Sequence, residues 1–240
     1  VTASYHVWRS PHYDALLSGG EFSETSAGTI QYSLQGNSGP TLLFVHGTPG
    51  GFDQGLGKQP DLSVLTPSRP GYLGTPLSVG ESPAEQARSY IALMDKLNIE
   101  SVIVIGASGG GPSAISFAAM FPERTRALIA IEAVAKSEEL QKLPAFLSSD
   151  FLVWLMFSFI NLLPDETVIQ MMIPDPANQQ LALDDPSKVA VIRSLSWSLW
   201  PPSLRGPGMD NDIMQFSNLS LPIDKISVPT LVIHGTADTN

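Results

Sequence analysis

One residue of this 240-residue chain, a serine flanked by glycines, has the type and surroundings best suited to act as a nucleophile. Ser108 lies within Gly106-Ala107-Ser108-Gly109-Gly110, directly after an apolar run and before a segment of small, helix-compatible residues. A hydroxyl is a weak nucleophile at neutral pH, so it must be exposed beside a base. A tight strand-to-helix turn exposes it only where the flanking positions lack bulk. We predict that Ser108 is a nucleophile and that the backbone N–H of Gly109, at a helix N-terminus, stabilises an oxyanion.

Loops after other predicted strands carry the groups that such a serine needs. Thr48 lies in His46-Gly47-Thr48-Pro49-Gly50-Gly51, after an apolar run at 41–45, and we predict that its backbone N–H completes the oxyanion site. Asp238 follows the apolar run 228–233 and is the predicted acid that orients a base, with Glu132 as a rival. The chain order, serine before acid, fits this arrangement.

Four stretches together resemble the α/β-hydrolase superfamily: Gly106 to Gly111, the loop at His46, the turn Ser68-Arg69-Pro70-Gly71, and His234-Gly235-Thr236-Ala237-Asp238. The resemblance covers residue 29 to the end except the central segment. It implies Ser108 as nucleophile, Asp238 as acid, and the amides of Thr48 and Gly109 as the oxyanion hole. The loop at Pro49 is similar to that of esterases, proline iminopeptidases and carbon–carbon bond hydrolases. A serine at the nucleophile position separates the chain from epoxide hydrolases and haloalkane dehalogenases, which carry aspartate there.

The catalytic histidine is the point at which the sequence departs from the family pattern. The family has this histidine after the acid, whereas the sequence holds His6, His12, His46 and His234. His46 and His234 follow predicted strands, where we expect them to hold their loops by hydrogen bonds. We therefore expect the base to come from a C-terminal fragment of the same protein, together with a final strand and helix of the sheet.

Hydrophobic periodicity predicts an α/β fold in which a mostly parallel sheet carries helices on both faces. Helices are expected at 83–97 and 112–120, the first with Ser82 as N-cap, Pro83 at its first position and Glu85 completing a capping box. An exposed antiparallel edge strand is expected at 29–34. The buried strands are expected at 41–45, 62–65, 101–105, 127–131 and 228–233.

The central segment has a different pattern, because strand-like runs disappear and helical, proline-punctuated stretches replace them. We predict a hydrolase core at 1–132 and 221–240 and a helical cap at 133–220. The large apolar side chains of the cap would either line a pocket above Ser108 or form the core of the cap itself. These residues are Phe151, Trp154, Met156, Phe157, Phe159, Met171, Met172, Trp197 and Trp200.

Composition limits the partners of this chain. A formal net charge of −10 would repel nucleic-acid backbones and anionic lipid surfaces. The chain has no cysteine, and we expect neither a metal nor an organic cofactor. The apolar run 151–163 is shorter than the roughly 20 residues of a membrane-spanning helix, so we expect a soluble protein without membrane association. Cysteine usage fits either redox compartment, and the cytoplasm is slightly favoured over secretion.

These features together predict a serine hydrolase. An anionic chain with an apolar cap suits neutral esters, so the expected reaction is hydrolysis of carboxylic esters of apolar small molecules through an acyl-enzyme. A proline iminopeptidase-like or carbon–carbon bond hydrolase is the alternative among enzymes. A catalytically silent scaffold that binds a small molecule is the alternative outside them.

Overall fold

The structure is a computed structural model that describes residues 2–57, 59–137 and 144–235. Within these residues, seven strands form one sheet in the order β1-β2-β4-β3-β5-β6-β7. The strands are β1 (Glu21–Thr25), β2 (Gly28–Gln35), β3 (Thr41–Val45), β4 (Ser63–Pro67), β5 (Val102–Ala107), β6 (Thr125–Ile131) and β7 (Thr230–Ile233). The α-helices are α1 (Thr2–Ser18), α2 (Pro83–Lys96), α3 (Gly111–Met120), α4 (Asp150–Ile160), α5 (Asp165–Met172), α6 (Pro176–Leu183), α7 (Pro186–Trp197) and α8 (Gly206–Phe216).

The chain divides into two compact units. The larger unit comprises Ser10–Lys142 and Leu204–Asn240, and the smaller comprises Val1–Arg9 and Leu143–Ser203. These bounds differ from the predicted core and cap, because the first nine residues group with the smaller unit and α8 groups with the larger. The sheet and the candidate catalytic loops all belong to the larger unit.

The sheet is mostly parallel, as predicted. Strands β3, β4, β5, β6 and β7 run parallel, while β2 pairs antiparallel with both β1 and β4. The predicted edge position of 29–34 is wrong, because β2 lies inside the sheet with Ile30 only 1% exposed. The edge strand on this side is β1. Its sequence is mostly polar and contains no apolar run that would have predicted a strand.

The last strand lies within its expected range. A strand is present at Thr230–Ile233, within the predicted 228–233, and it pairs in parallel with β6. Its side chains are exposed rather than buried, with Val232 at 67%. The apolar run predicted the strand, but burial depends on neighbouring elements, and β7 lies at one end of the strand order.

Alternate side chains of the strands supply two cores. Leu43 and Val45 of β3 are fully buried in a cluster with the apolar faces of α2 and α3. Leu42 and Phe44 point to the opposite face, where they pack with Val64 and Ile105. Burial on both faces explains why β3 reads as a continuous apolar run.

Helix α2 begins at the predicted capping box. The Ser82 hydroxyl accepts a hydrogen bond from the Glu85 backbone N–H at 3.3 Å, and the Glu85 carboxylate accepts one from the Ser82 N–H at 2.8 Å. The hydrogen bond that the Ser82 backbone N–H donates to the Glu85 carboxylate, and then the one from the Ser82 hydroxyl, lower the pKa of Glu85. The two bonds of the capping box have a further effect. They satisfy N–H groups that have no partner within the helix.

Loss of this cap is expected to weaken the helix modestly. Ser82→Ala should lower the free energy of unfolding by about 1 kcal/mol, measured by urea denaturation. Ser82→Thr keeps a hydroxyl at the N-cap and should recover most of that loss. Equal stability of Ser82→Ala and the wild type would contradict the assigned cap.

The smaller unit has an aromatic core of its own. Trp8 contacts Trp200 edge-on, with ring centroids 4.7 Å apart, and also lies against Trp197. Trp154 and Trp200 are 9% and 3% exposed. Phe159, in contrast, is 65% exposed. The predicted apolar set therefore divides, since some members form the core of this unit and others lie on its surface.

Candidate active site

Ser108 stands at the end of β5 in a backbone conformation that lifts its side chain out of the sheet. Its φ is 48°, a left-handed value that is uncommon outside glycine, and the residue is exposed. A single 3-10 turn, Ser108–Gly110, leads directly into α3. The Ser108 carbonyl accepts hydrogen bonds from the backbone N–H groups of Gly111 and, at 3.1 Å, Val134. These bonds hold the sharp turn in place.

The glycines around Ser108 are required by close contacts. A Cβ on Gly106 would lie 2.5 Å from the Cβ of Ala114 in α3. A Cβ on Gly110 would lie 2.3 Å from the carbonyl oxygen of Val45 in β3. Both distances are far below ordinary contact, so the glycines of the G-x-S-x-G pattern let the strand, turn and helix approach one another.

Substitution of Gly110 is therefore expected to be costly. Gly110→Ala should lower the free energy of unfolding by about 2–3 kcal/mol, because the obstructing atom belongs to a buried strand backbone that cannot move aside. Gly206→Ala is the matched control, since a Cβ there meets nothing within 4 Å. Urea denaturation of the two variants should give clearly separated midpoints, and equal midpoints would contradict this packing.

The structure brings both predicted oxyanion donors next to Ser108. A Cβ built on Gly109 would lie 3.3 Å from the backbone nitrogen of Thr48, and one built on Gly47 would lie 3.7 Å from the Ser108 Oγ. The loop after β3 and the turn after β5 are thus in direct contact. The roles of Thr48 and Gly109 as donors remain predictions that this proximity supports.

His46 is buried behind this loop and makes hydrogen bonds through both ring nitrogens. Its Nε2 accepts from the Arg69 backbone N–H at 2.9 Å, so its Nδ1 carries the proton and donates to the Gly47 carbonyl at 2.8 Å. Burial, and then the charge of Arg69, hold the pKa of His46 well below its usual 6.5. His46 therefore fixes the loop as a neutral ring and is not placed to serve as the catalytic base.

The other candidate acids and bases have different settings. Glu132 directly follows β6, is exposed, and donates its backbone N–H to the Ile233 carbonyl at 2.8 Å. His12 and His234 are exposed members of the larger unit, and His6 belongs to the smaller one. Asp238 lies outside the described residues, so its role stays a prediction.

A buried ionic cluster behind the Thr48 loop was not anticipated from the sequence. Asp212 of α8, 1% exposed, accepts hydrogen bonds from Arg69, from the Tyr72 hydroxyl at 2.5 Å, and from the Thr48 hydroxyl. Burial lowers the pKa of Arg69, but the Asp212 carboxylate outweighs it and the net shift is upward. Burial raises the pKa of the Tyr72 phenol.

The sequence carried only part of the signal for this cluster. The turn Ser68 to Gly71 resembles the family, but it does not include Tyr72, and Asp212 lies within the predicted cap. Arg69 and Asp212 are separated by 143 positions along the chain, so no local pattern links them. A buried position for an acidic residue also contradicts the usual surface preference.

Arg205 makes a second buried ion pair at the start of α8. Its guanidinium, fully buried, contacts the Asp53 carboxylate at 2.7 Å and donates to the Gly50 carbonyl at 2.6 Å. Two ionic contacts thus join α8 to the loops that follow β3 and β4.

Within residues 2–57, 59–137 and 144–235, no three acidic or histidine side chains are grouped as a metal site would require. No helix in this part of the chain is both long and apolar enough to cross a bilayer.

Comparison with known proteins supports the fold of the chain. A solved alpha/beta hydrolase fold protein from Nakamurella multipartita superposes with a TM-score of 0.77 at 30% identity, covering 92% of this chain and 82% of that one. A solved hydrolase from Pseudomonas aeruginosa PA01 shares the fold, with a TM-score of 0.60 at 20% identity over 92% of this chain and 82% of its own.

Among curated proteins, the uncharacterized hydrolase YcgS of Bacillus subtilis is 42% identical over 113 residues, which are 45% of this chain and 39% of that protein. The aligned part is thus well under half the length of this relative. Homoserine O-acetyltransferase of Thermus thermophilus is 43% identical over 61 residues, 25% of this chain and 15% of that enzyme. The model of the Alpha/beta hydrolase family matches residues 42–240. From this match and the shared fold, the chain belongs to the alpha/beta hydrolase family.

Proposed function

We propose that the chain is the main part of a serine hydrolase that cleaves carboxylic esters of apolar substrates. The observation that carries the proposal is the setting of Ser108, an exposed hydroxyl at φ 48° beside the backbone amides of Gly109 and Thr48. Nucleophilic attack on a carbonyl requires both a free hydroxyl and nearby N–H donors for the oxygen that becomes negative.

The proposed reaction passes through an acyl-enzyme. The Ser108 Oγ attacks the ester carbonyl carbon while a histidine takes the hydroxyl proton, and the amides of Thr48 and Gly109 stabilise the oxyanion. The C–O bond to the alcohol breaks as the histidine returns that proton to the leaving oxygen. Water, activated by the same histidine, then cleaves the acyl-enzyme, releasing the carboxylic acid and the free Ser108 hydroxyl.

The base of this reaction is proposed to be a histidine outside residues 1–240, on a C-terminal fragment of the same protein, oriented by Asp238. Two observations favour this source. His46 is neutral, buried and engaged through both ring nitrogens. The family order has the histidine after the acid. Intact-mass analysis of the natural protein should reveal polypeptide beyond Asn240, either continuous or as a second species; a single mass matching residues 1–240 would contradict this source.

The substrate class follows from charge and surface character. A net charge of −10 disfavours polyanionic substrates. The smaller unit exposes apolar side chains such as Phe159, Met171 and Met172, at 65%, 59% and 47%. Surfaces of this kind are typical of sites that receive apolar molecules. We therefore propose neutral esters with an apolar acyl group.

A serine-reactive probe tests the proposal directly. Protein expressed from its complete coding region should be labelled by an alkyl fluorophosphonate, and peptide mapping should locate the label on Ser108. A series of p-nitrophenyl esters of increasing acyl length should then show which chain length is turned over. An unlabelled Ser108 in folded protein would favour the catalytically silent scaffold instead.

Acyl transfer is a second use of the same intermediate. The partial similarity to homoserine O-acetyltransferase makes an alcohol acceptor a reasonable competitor of water. Adding a primary alcohol to the ester assay distinguishes them, since a transferase would form the new ester in preference to the free acid. Proline iminopeptidase-like and carbon–carbon hydrolase activities are tested by the corresponding prolyl amide and diketone substrates.

A further inference from the structure

The peptide group between Gly47 and Thr48 carries the N–H that is the proposed oxyanion donor, so its orientation is important for the site. The Thr48 N–H belongs to the same planar unit as the Gly47 carbonyl and points in the opposite direction. The carbonyl accepts hydrogen bonds from the His46 ring at 2.8 Å and from Arg69 Nη2 at 3.3 Å. Fixing the carbonyl therefore also fixes the direction of the N–H, whose nitrogen lies beside Gly109.

The Thr48 side chain is tied to the same buried cluster. Its hydroxyl accepts from Arg69 Nη2 at 3.0 Å and donates its single hydrogen to Asp212 Oδ2. The hydroxyl hydrogen thus points into the cluster rather than toward Ser108. Thr48 can then serve an oxyanion through its backbone alone, and its side chain acts as a tether.

Asp212 organises this cluster from a distant part of the chain. Its Oδ1 accepts from Arg69 Nη1 at 3.0 Å, and its Oδ2 accepts from Arg69 Nη2 and from Tyr72, each at 2.5 Å. The Asp212 and Arg69 side chains are only 2% and 1% exposed. A charge pair excluded from water has few alternative partners, so it fixes the groups bonded to it more firmly than a surface pair does.

We propose that Asp212 is a positioning residue for the oxyanion site, acting through Arg69 and the Thr48 hydroxyl to orient the Thr48 backbone N–H. This inference rests on the proposed function and deepens it. An oxyanion donor is effective only when its direction is set before the charge develops, because reorientation would consume the stabilisation. The cluster touches no reacting atom, so its contribution appears as the placement of one amide.

Thr48→Val is the decisive variant, because it removes the tether but keeps both the backbone amide and the Arg69–Asp212 pair. With the protein expressed from its complete coding region and its best p-nitrophenyl ester, kcat should fall about 10- to 30-fold while KM changes less than about twofold. Loss of a whole oxyanion donor costs about 10²–10³, so a misdirected donor should cost less. Thr48→Ser, which restores a hydroxyl, should recover most of the rate.

A transition-state mimic supplies a readout that a purely structural role would not move. A trifluoromethyl ketone forms an oxyanion when Ser108 adds to its carbonyl, so its inhibition constant should rise with Thr48→Val by about the same factor as kcat falls. Thr29→Val is the matched control. The Thr29 hydroxyl, on β2, donates to Glu24 of β1 at 2.7 Å, so the substitution should leave both constants unchanged. Asp212→Asn should lower kcat similarly, and combining it with Thr48→Val should add little.

The outcomes separate the inference from the function on which it rests. The positioning role is overturned if Thr48→Val has a kcat within twofold of the wild type, or if only its KM is raised. The hydrolase proposal still stands in that case, provided that Ser108→Ala is inactive. Turnover retained by Ser108→Ala removes both. If Asp212→Asn does not fold, Thr48→Val still decides the question.

Discussion

Ser108→Ala should abolish ester turnover while leaving the protein folded. We expect kcat to fall by roughly 10⁴-fold or more, because the acyl-enzyme cannot form without the hydroxyl and only binding and the oxyanion donors remain. The melting temperature should change little. The Ser108 side chain is exposed, and substitutions at exposed positions shift stability by about 0.5 kcal/mol or less.

The matched control for this prediction is Ser217→Ala. Ser217 is another exposed serine, and its hydroxyl donates to the Met214 carbonyl at 2.8 Å in the last turn of α8. It should retain wild-type kcat and KM. Full turnover by Ser108→Ala would mean that the ester is cleaved elsewhere, and the hydrolase proposal would fail.

Asp53→Ala is expected to cause a large loss of stability. Asp53 is the ionic partner of the fully buried Arg205, and without it the guanidinium charge remains in a site from which water is largely excluded. Leaving a buried charge without its partner costs about 3–5 kcal/mol. The Asp53 side chain is 20% exposed, so water can replace part of its effect and we expect about 3 kcal/mol.

Asp95→Ala provides the comparison at the surface. Asp95 pairs with Arg124 at the same 2.7 Å, but the two side chains are 59% and 22% exposed. Exposed pairs contribute about 0–1 kcal/mol, so this variant should stay close to the wild type in urea denaturation. Similar losses in both variants would show that burial does not determine how much these ion pairs contribute to the free energy of unfolding.

The buried ion pairs of α8 indicate a role for this helix that its position in the sequence did not predict. Two buried ion pairs, Arg69–Asp212 and Arg205–Asp53, connect this helix and its N-cap to the loops that follow β3 and β4. A segment that reads as part of a helical cap thus supports the candidate oxyanion site. Removal of the side chains that make these two pairs should therefore lower stability, and loss of Asp212 should also lower kcat.

Local features of the fold were determined by the sequence alone. The turn at Ser108, the capping box at Ser82 and the strands with continuous apolar runs all depend on residues adjacent in the chain, and the structure contains each of them. Such features are predictable because steric limits and hydrogen bonds between near neighbours fix them regardless of the rest of the molecule. The proximity of Thr48 to Gly109 has a different basis, because these residues follow different strands and only the resemblance to the family predicted that they meet.

Only the tertiary structure decided which elements meet. It gave the edge of the sheet to β1 rather than to residues 29–34, and it supplied the hydrogen-bond partners of His46, whose structural role was predicted from the sequence. It also brought Asp212 to Thr48, which lies 164 positions away. Contacts across such separations depend on the order of the strands and on the packing of α8. Neither of these can be read from a short run of residues.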